Sequence, residues 1–131
     1  TINNGGSWSG KLATNGASNP AFKQERIGAG VVKAGDVVRV QFDHTGSIVQ
    51  PGAVFNVLLF GEGASGASFT HVFNPAPSPT TGWTTFTGTF TIAGGTDVSQ
   101  GISFLIEAVC GGAVGCSVTA NIDNVSVVLN P

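Results

Sequence analysis

Between residues 83 and 92 apolar and polar side chains alternate: Phe86, Phe90 and Ile92, with Gly88, fall on one side, and Thr85, Thr87, Thr89 and Thr91 on the other. A period of two marks a strand with one face buried and one in water. The same rhythm runs through residues 37–44, where Val38, Val40 and Phe42 oppose Arg39, Gln41 and Asp43. Strands are predicted over 7–13, 21–27, 37–44, 54–60, 68–73, 83–92, 102–109 and 118–129. No segment keeps the apolar spacing of an amphipathic helix. Turn residues punctuate the strands at Ala34-Gly35-Asp36, Gln50-Pro51-Gly52, Gly61-Glu62-Gly63 and the proline-rich run from Asn74 to Pro79. The pattern predicts an all-β, two-sheet antiparallel sandwich.

Two departures from simple alternation refine this picture. In the last strand Val118, Ala120 and Ile122 occupy even positions, whereas Val125, Val127 and Leu129 occupy odd ones. The phase slips near Asp123-Asn124, which predicts a β-bulge there. Two strands are apolar on both faces. In 54–60, Phe55, Val57 and Leu59 oppose Val54, Asn56, Leu58 and Phe60. In 102–109, Ile102, Phe104 and Ile106 oppose Ser103, Leu105 and Glu107. Such strands are expected at the centre of a sheet, their second face covered either by a loop of the chain or by a ligand.

Composition agrees with many short strands. The chain has 131 residues, enough for one domain spanning 1–131 with its own core. It carries 20 glycines and no methionine, and residues that favour helices are scarce. Five basic residues against seven acidic ones give a net charge of -2, with no basic stripe for a nucleic acid and nothing to draw the chain to an anionic membrane. No apolar run approaches the ~20 residues of a membrane-spanning helix. The start at Thr1-Ile2-Asn3-Asn4, with no signal peptide, is what an excised module would show. Cys110 and Cys116 are spaced too widely for a redox CxxC pair, and no second pair completes a zinc site. A disulfide closing a hairpin is expected, the alternative being two free buried thiols. A disulfide would imply a secreted, extracellular protein.

Three stretches, in order, resemble a known family: Val32-Lys33-Ala34-Gly35-Asp36-Val37-Val38-Arg39-Val40-Gln41-Phe42, Gly82-Trp83-Thr84-Thr85-Phe86-Thr87-Gly88-Thr89-Phe90, and Ile122-Asp123-Asn124-Val125-Ser126-Val127. Their succession is similar to that of carbohydrate-binding modules of the family 4, 16 and 22 type. The resemblance implies jelly-roll topology, a poly- or oligosaccharide ligand, and a linked catalytic domain, a secreted glycoside hydrolase or polysaccharide lyase. The segment from Phe22 to Gly30 resembles modules of enzymes acting on algal polysaccharides, which implies an acidic glycan such as alginate. Many relatives hold a structural calcium between their opening strand and an acidic residue near the end. Asp123 matches the second part, while Asn3-Asn4-Gly5-Gly6-Ser7-Trp8 lacks the Phe-Glu of the usual opening. A structural calcium at Asp123 is therefore an expectation resting on half of the pattern.

A saccharide site needs an apolar platform beside convergent hydrogen-bonding groups. The outward side of the central strands supplies Arg39, Gln41, Asp43, Asn56, Phe60 and Glu107, joined by Gln24 and Arg26 if their strand pairs nearby. Arginine's planar fork suits a carboxylate or sulfate. Ordinary cross-strand ion pairing on a solvated face is the competing reading. Tyr is absent, so the wide rings are Trp8 and Trp83. Trp83 is expected to pack at the sandwich edge, and Trp8 either packs likewise or stacks on a ligand. His44 and His71 stand near strand or loop ends in no metal signature; His71, flanked by Phe69 and Phe73, is expected either at the surface or at the rim of a site. For catalysis, Asp43 and Glu107 are the carboxylates that tempt as a glycosidase pair. The chain is expected not to be an enzyme. The alternative function is a structural or adhesin-like sandwich whose face binds protein.

Overall fold

A computed structural model describes Ile2 and residues 4–131; Thr1 and Asn3, named above in the opening segment, lie outside the described residues. Eight strands follow one another: β1 (Gly10–Thr14), β2 (Ala21–Ile27), β3 (Val37–Val49), β4 (Val54–Gly63), β5 (Gly66–Val72), β6 (Thr84–Thr91), β7 (Ile102–Val109) and β8 (Ser117–Leu129). One four-stranded sheet has the order β1-β8-β3-β6 and the other β2-β7-β4-β5, every neighbouring pair being antiparallel. That pair of orders is the jelly roll. The doubly apolar strands β4 and β7 are the two inner strands of their sheet, as their pattern requires.

Alternation builds the core. Val38, Val40 and Phe42 of β3 meet Phe55, Val57 and Leu59 of β4 and Ile102 and Ile106 of β7, all fully or almost fully buried. Phe42 joins the two layers, its ring lying 6.3 Å from Phe55 edge-on and 6.3 Å from Phe104. Along the β5–β6 side, His71 stacks on Phe90 at 4.3 Å and Phe73 stands edge-on to Phe86 at 5.7 Å. This aromatic row closes that flank of the sandwich.

The bulge in the last strand is present. Gln41 pairs with Ser126 and Asp43 with Asp123, so one residue of β3 faces two of β8, and Asn124 takes φ 52°. Asparagine is among the few side chains that enter this region readily. A second bulge, between Gln24 and Ile27, puts Arg26 at φ 55°. Strand β3 runs five residues beyond the predicted end at His44. Gly46 there has φ 151° and pairs with Ala120. A Cβ at Gly46 would fall inside the Thr119 carbonyl oxygen and 2.8 Å from its carbon, so only glycine allows the two backbones this approach. Cys110 and Cys116 are joined, Cα atoms 5.7 Å apart, closing the turn between β7 and β8.

Candidate functional site

The outer face of the β2-β7-β4-β5 sheet is built in rows by its register. Asn56 lies opposite Glu107, and Leu58 lies opposite both Leu105 and Val72. Lys23 pairs with Leu105, and Phe60 pairs with Ser103 and Thr70. Leu58, Leu105 and Phe60 are half-exposed, and Val72 is exposed. They form an apolar platform with polar ends. At one end Asn56 Nδ2 donates to Glu107 Oε1 at 3.0 Å; at the other Ser103 Oγ donates to Glu62 at 2.5 Å. The Lys23 ammonium stands 5.6 Å from the centre of the Phe60 ring while pairing with Glu25 at 2.7 Å. From Asn56 to Glu62 the strand rises about 20 Å, and four strands span about 14 Å, the footprint of an extended oligomer. Ring face, alkyl surface, amide and carboxylate together can hold a polyhydroxylated chain by stacking and by hydrogen bonds.

The nine residues expected to line one ligand face do not share one. Asn56, Phe60 and Glu107 lie on this platform. Arg39, Gln41 and Asp43 belong to β3 in the other sheet, opposite Thr89, Thr87 and Thr85 of β6. Both sets point outward, and the outer faces of two stacked sheets look away from each other. The single-face expectation is thereby corrected: alternation says which side of a strand is out, and strand-to-sheet assignment decides where out is. Strand β2 does join the platform sheet, yet Gln24 and Phe22 fall opposite the inward Phe104 and Ile106 and stay exposed at the open flank. The two line a cleft of about 330 Å3 with Phe104, Ile106 and Ile122 at the β1–β2 flank. Arg26 sits exposed on the bulge. Trp8 is 82% exposed ahead of β1, and Trp83 is half-buried ahead of β6. Lys23 is the platform residue the sequence reading passed over. Nothing in Ala-Phe-Lys-Gln-Glu-Arg separates an inner from an outer series.

Asp43 and Asp123 meet at the bulge in a clasp of N–H and hydroxyl donors. Asp43 accepts Asn124 Nδ2 at 2.9 Å, Asn4 Nδ2 at 2.8 Å and the Thr85 hydroxyl at 2.5 Å. The bonds from Asn124 and then Thr85 hold its carboxyl below the usual aspartate range. Asp123 accepts the backbone N–H of Asn4 and of Asn124, each at 2.8 Å. Calcium takes about six to eight oxygen ligands. Here N–H groups face the carboxylates, and no cluster of three His, Cys, Asp or Glu occurs among the described residues. As arranged, the clasp does not fit the calcium that the resemblance implied.

His71 is half-buried at the rim of a cleft rather than a plain surface residue, and His44 is buried. His44 is 4% exposed, on the inner side of β3 in the same even series as Val38, Val40 and Phe42. Its Nε2 is 3.3 Å from the Thr84 hydroxyl, and its Nδ1 has no partner among the described residues. A buried polar group left so costs about 1–3 kcal/mol. Burial holds both His44 and His71 below the ordinary histidine value, with Asp43 pulling His44 weakly the other way. Both line a cleft of about 690 Å3 between β6 and the segment that follows β5.

The architecture is that of a jelly-roll β-sandwich shared with carbohydrate-binding modules. A solved family 4 module (CBM4) superposes with a TM-score of 0.55 at 18% identity, over 92% of this chain and 83% of that one. A family 16 carbohydrate-binding module superposes with a TM-score of 0.54 at 16% identity, over 95% of this chain and 78% of that one. No protein-family profile matches the sequence, and no curated protein does. The likeness is one of fold.

Proposed function

We propose that the outer face of the β2-β7-β4-β5 sheet binds a poly- or oligosaccharide without catalysis, as an appended module of a secreted glycoside hydrolase or polysaccharide lyase. The observation that carries this reading is the half-exposed apolar strip of Leu58, Phe60 and Leu105 on two central strands, with an amide–carboxylate pair at one end and a hydroxyl–carboxylate pair at the other. Two inner strands of a sandwich normally gain from covering such residues, and a saccharide laid across them would do so. Likeness of fold to family 4 and family 16 carbohydrate-binding modules supports it. The Cys110–Cys116 bond supports export, since disulfides persist in oxidising compartments.

Charge refines the ligand. Lys23 is already paired with Glu25, and Glu62 and Glu107 flank the platform, while Arg39 lies on the other sheet. That balance repels a uronate, so a neutral glycan fits this face better than the alginate-like chain expected from the arginines. The non-catalytic reading is supported by the separation of Asp43 and Glu107 onto outer faces of different sheets, where they cannot flank one glycosidic bond. An open face exchanges solvent hydrogen bonds for ligand ones and binds modestly; tethering to an enzyme makes modest binding useful.

Affinity electrophoresis through gels of neutral glycans, with alginate as the contrast, tests the assignment. Phe60→Ala and Glu107→Ala should each lower retention on a neutral gel by roughly tenfold, about 1.4 kcal/mol, and Arg39→Ala and Gln41→Ala should leave it unchanged. Retention lost with the arginine and kept with the platform variants would move the site to the other sheet. Retention by no glycan would end the reading.

A further inference from the structure

The cleft along β6 is not part of the platform and has its own chemistry. Strands β5 and β6 are the edge strands of their sheets on one flank of the sandwich, and the segment between them forms the outer wall. That wall is tied down before any ligand arrives. The Phe73 N–H donates to the Val57 carbonyl, and the Thr80 carbonyl accepts both the Gly46 N–H at 2.7 Å and the Thr45 hydroxyl at 2.8 Å. The space of about 690 Å3 lies within the range of ligand pockets. Of its lining residues none is Asp, Glu, Lys or Arg. The polar groups are hydroxyls and one amide, from Thr84, Thr85, Thr87, Thr89, Ser78 and Asn74; the apolar floor is the rings of Phe73 and Phe86 beside His71.

We propose that this edge cleft is a second saccharide site, taking a neutral, hydroxyl-rich chain. Rings on the inner side of the β6 edge and hydroxyls on its outer side offer C–H and O–H partners to a chain laid along that edge, and none of the lining residues is Asp, Glu, Lys or Arg to select a charged ligand. His44 reaches the cleft from the core side. It lines the cleft, it is 4% exposed, and its Nε2 is engaged with Thr84, while its Nδ1 has no partner among the described residues. Both histidines are held neutral by burial, which keeps the cleft uncharged at neutral pH. Val72 borders both sites, so the cleft adjoins the platform but draws its contacts from the other side of β5. The inference stands whether or not the platform binds.

Ring resonances of His44 and His71 followed by NMR during titration with neutral hexasaccharides (cello-, laminari-, manno- and xylo-) test it. The rings should shift saturably with at least one of them, both in wild type and in a Phe60→Ala/Glu107→Ala protein. Thr87→Arg, on an exposed position of β6, should weaken the effect about tenfold or abolish it. Asn74→Ala should weaken it less, and it serves should the arginine disturb the strand. Rings that stay still at tens of millimolar of every sugar overturn the proposal. Shifts that vanish in the platform variant overturn it too, since a single site would then suffice. An extended threonine- and valine-rich peptide that moves the rings where all sugars fail also overturns it, in favour of strand addition to β6. Failure of the platform alone would show as unmoved Leu58 and Leu105 signals with shifting histidine rings.

Discussion

Gly46→Ala is the substitution on which the packing of the two longest strands can be judged. A Cβ there stands 2.8 Å from the Thr119 carbonyl carbon and 3.0 Å from the Ala120 Cα. Carbon pairs rest at about 3.5–4.0 Å, so β3 and β8 must part by roughly 0.7 Å or more. Both obstacles are backbone, which leaves no flexible side chain to give way. The φ of 151° adds strain of about 1–3 kcal/mol for a residue with a Cβ. Separation also weakens the Gly46 N–H bond to Thr80 and a neighbouring ladder bond, about 1 kcal/mol each. The sum is about 4 kcal/mol, a large share of the ~5–15 kcal/mol that keeps a protein folded. For a chain of this size that corresponds to a fall in Tm of roughly 12–20 °C. Thermal melts followed by far-ultraviolet circular dichroism measure it. Gly82→Ala is the control: nothing lies within 4 Å of an added Cβ and its φ is outside the left-handed region, so it should change stability by about 1 kcal/mol or less. A Gly46→Ala protein melting within about 3 °C of wild type would refute the close approach of these strands.

Three further outcomes are expected. Replacing Cys110 and Cys116 together by Ala releases a tie across six residues and should cost about 2 kcal/mol in urea unfolding; unchanged midpoints would show that the turn is held by other contacts. Stability should decline in two stages as pH falls. His44 and His71 bind protons less tightly folded than unfolded, so their contribution is complete above the ordinary value of 6.5 and is lost as pH drops through their lower folded values. Asp43, held down by its bonds, contributes above 3.8 and loses that contribution below it; a flat profile from pH 7 to 5 contradicts the histidine stage. Chelator should leave the Tm unchanged, whereas Asn124→Ala should lower stability by about 1 kcal/mol through the clasp; a chelator-induced fall would mean that Asp123 seats a cation after all.

Much of the scaffold was legible because side-chain alternation is a local property. The predicted limits of β2 and β7 coincide with those observed, and the bulge at Asp123-Asn124 was announced by a change of parity. The end of β3 was misread because Thr45-Gly46-Ser47 looks like a turn, whereas the glycine serves a close contact with a residue 74 positions away, Ala120. The burial of His44 was readable from its even parity, which puts it with Val38, Val40 and Phe42. The candidate site was harder to read. Arg39 and Asn56 are both outward on doubly informative strands, yet β3 and β4 belong to different sheets, and no local pattern records that crossing. The hydroxyl ladder of β6 was recognised as an exposed face. Its partnership with the 73–83 segment arises from tertiary placement alone.

The strand order carries a consequence for how the molecule comes to be made. Among the paired neighbours only β4 and β5 are consecutive in the chain; β1 waits for β8, β2 for β7, and β3 for both β6 and β8. Most loop-closure entropy must therefore be spent before the layers reward it, so refolding should be slow, on the order of milliseconds to seconds, with one early hairpin and a late, concerted assembly. During synthesis the first seven strands emerge without the strand that completes the β1-β8-β3 pairing. A nascent chain stalled before residue 117 would expose unsatisfied strand edges, so exposure to edge-to-edge association during synthesis follows from the topology itself.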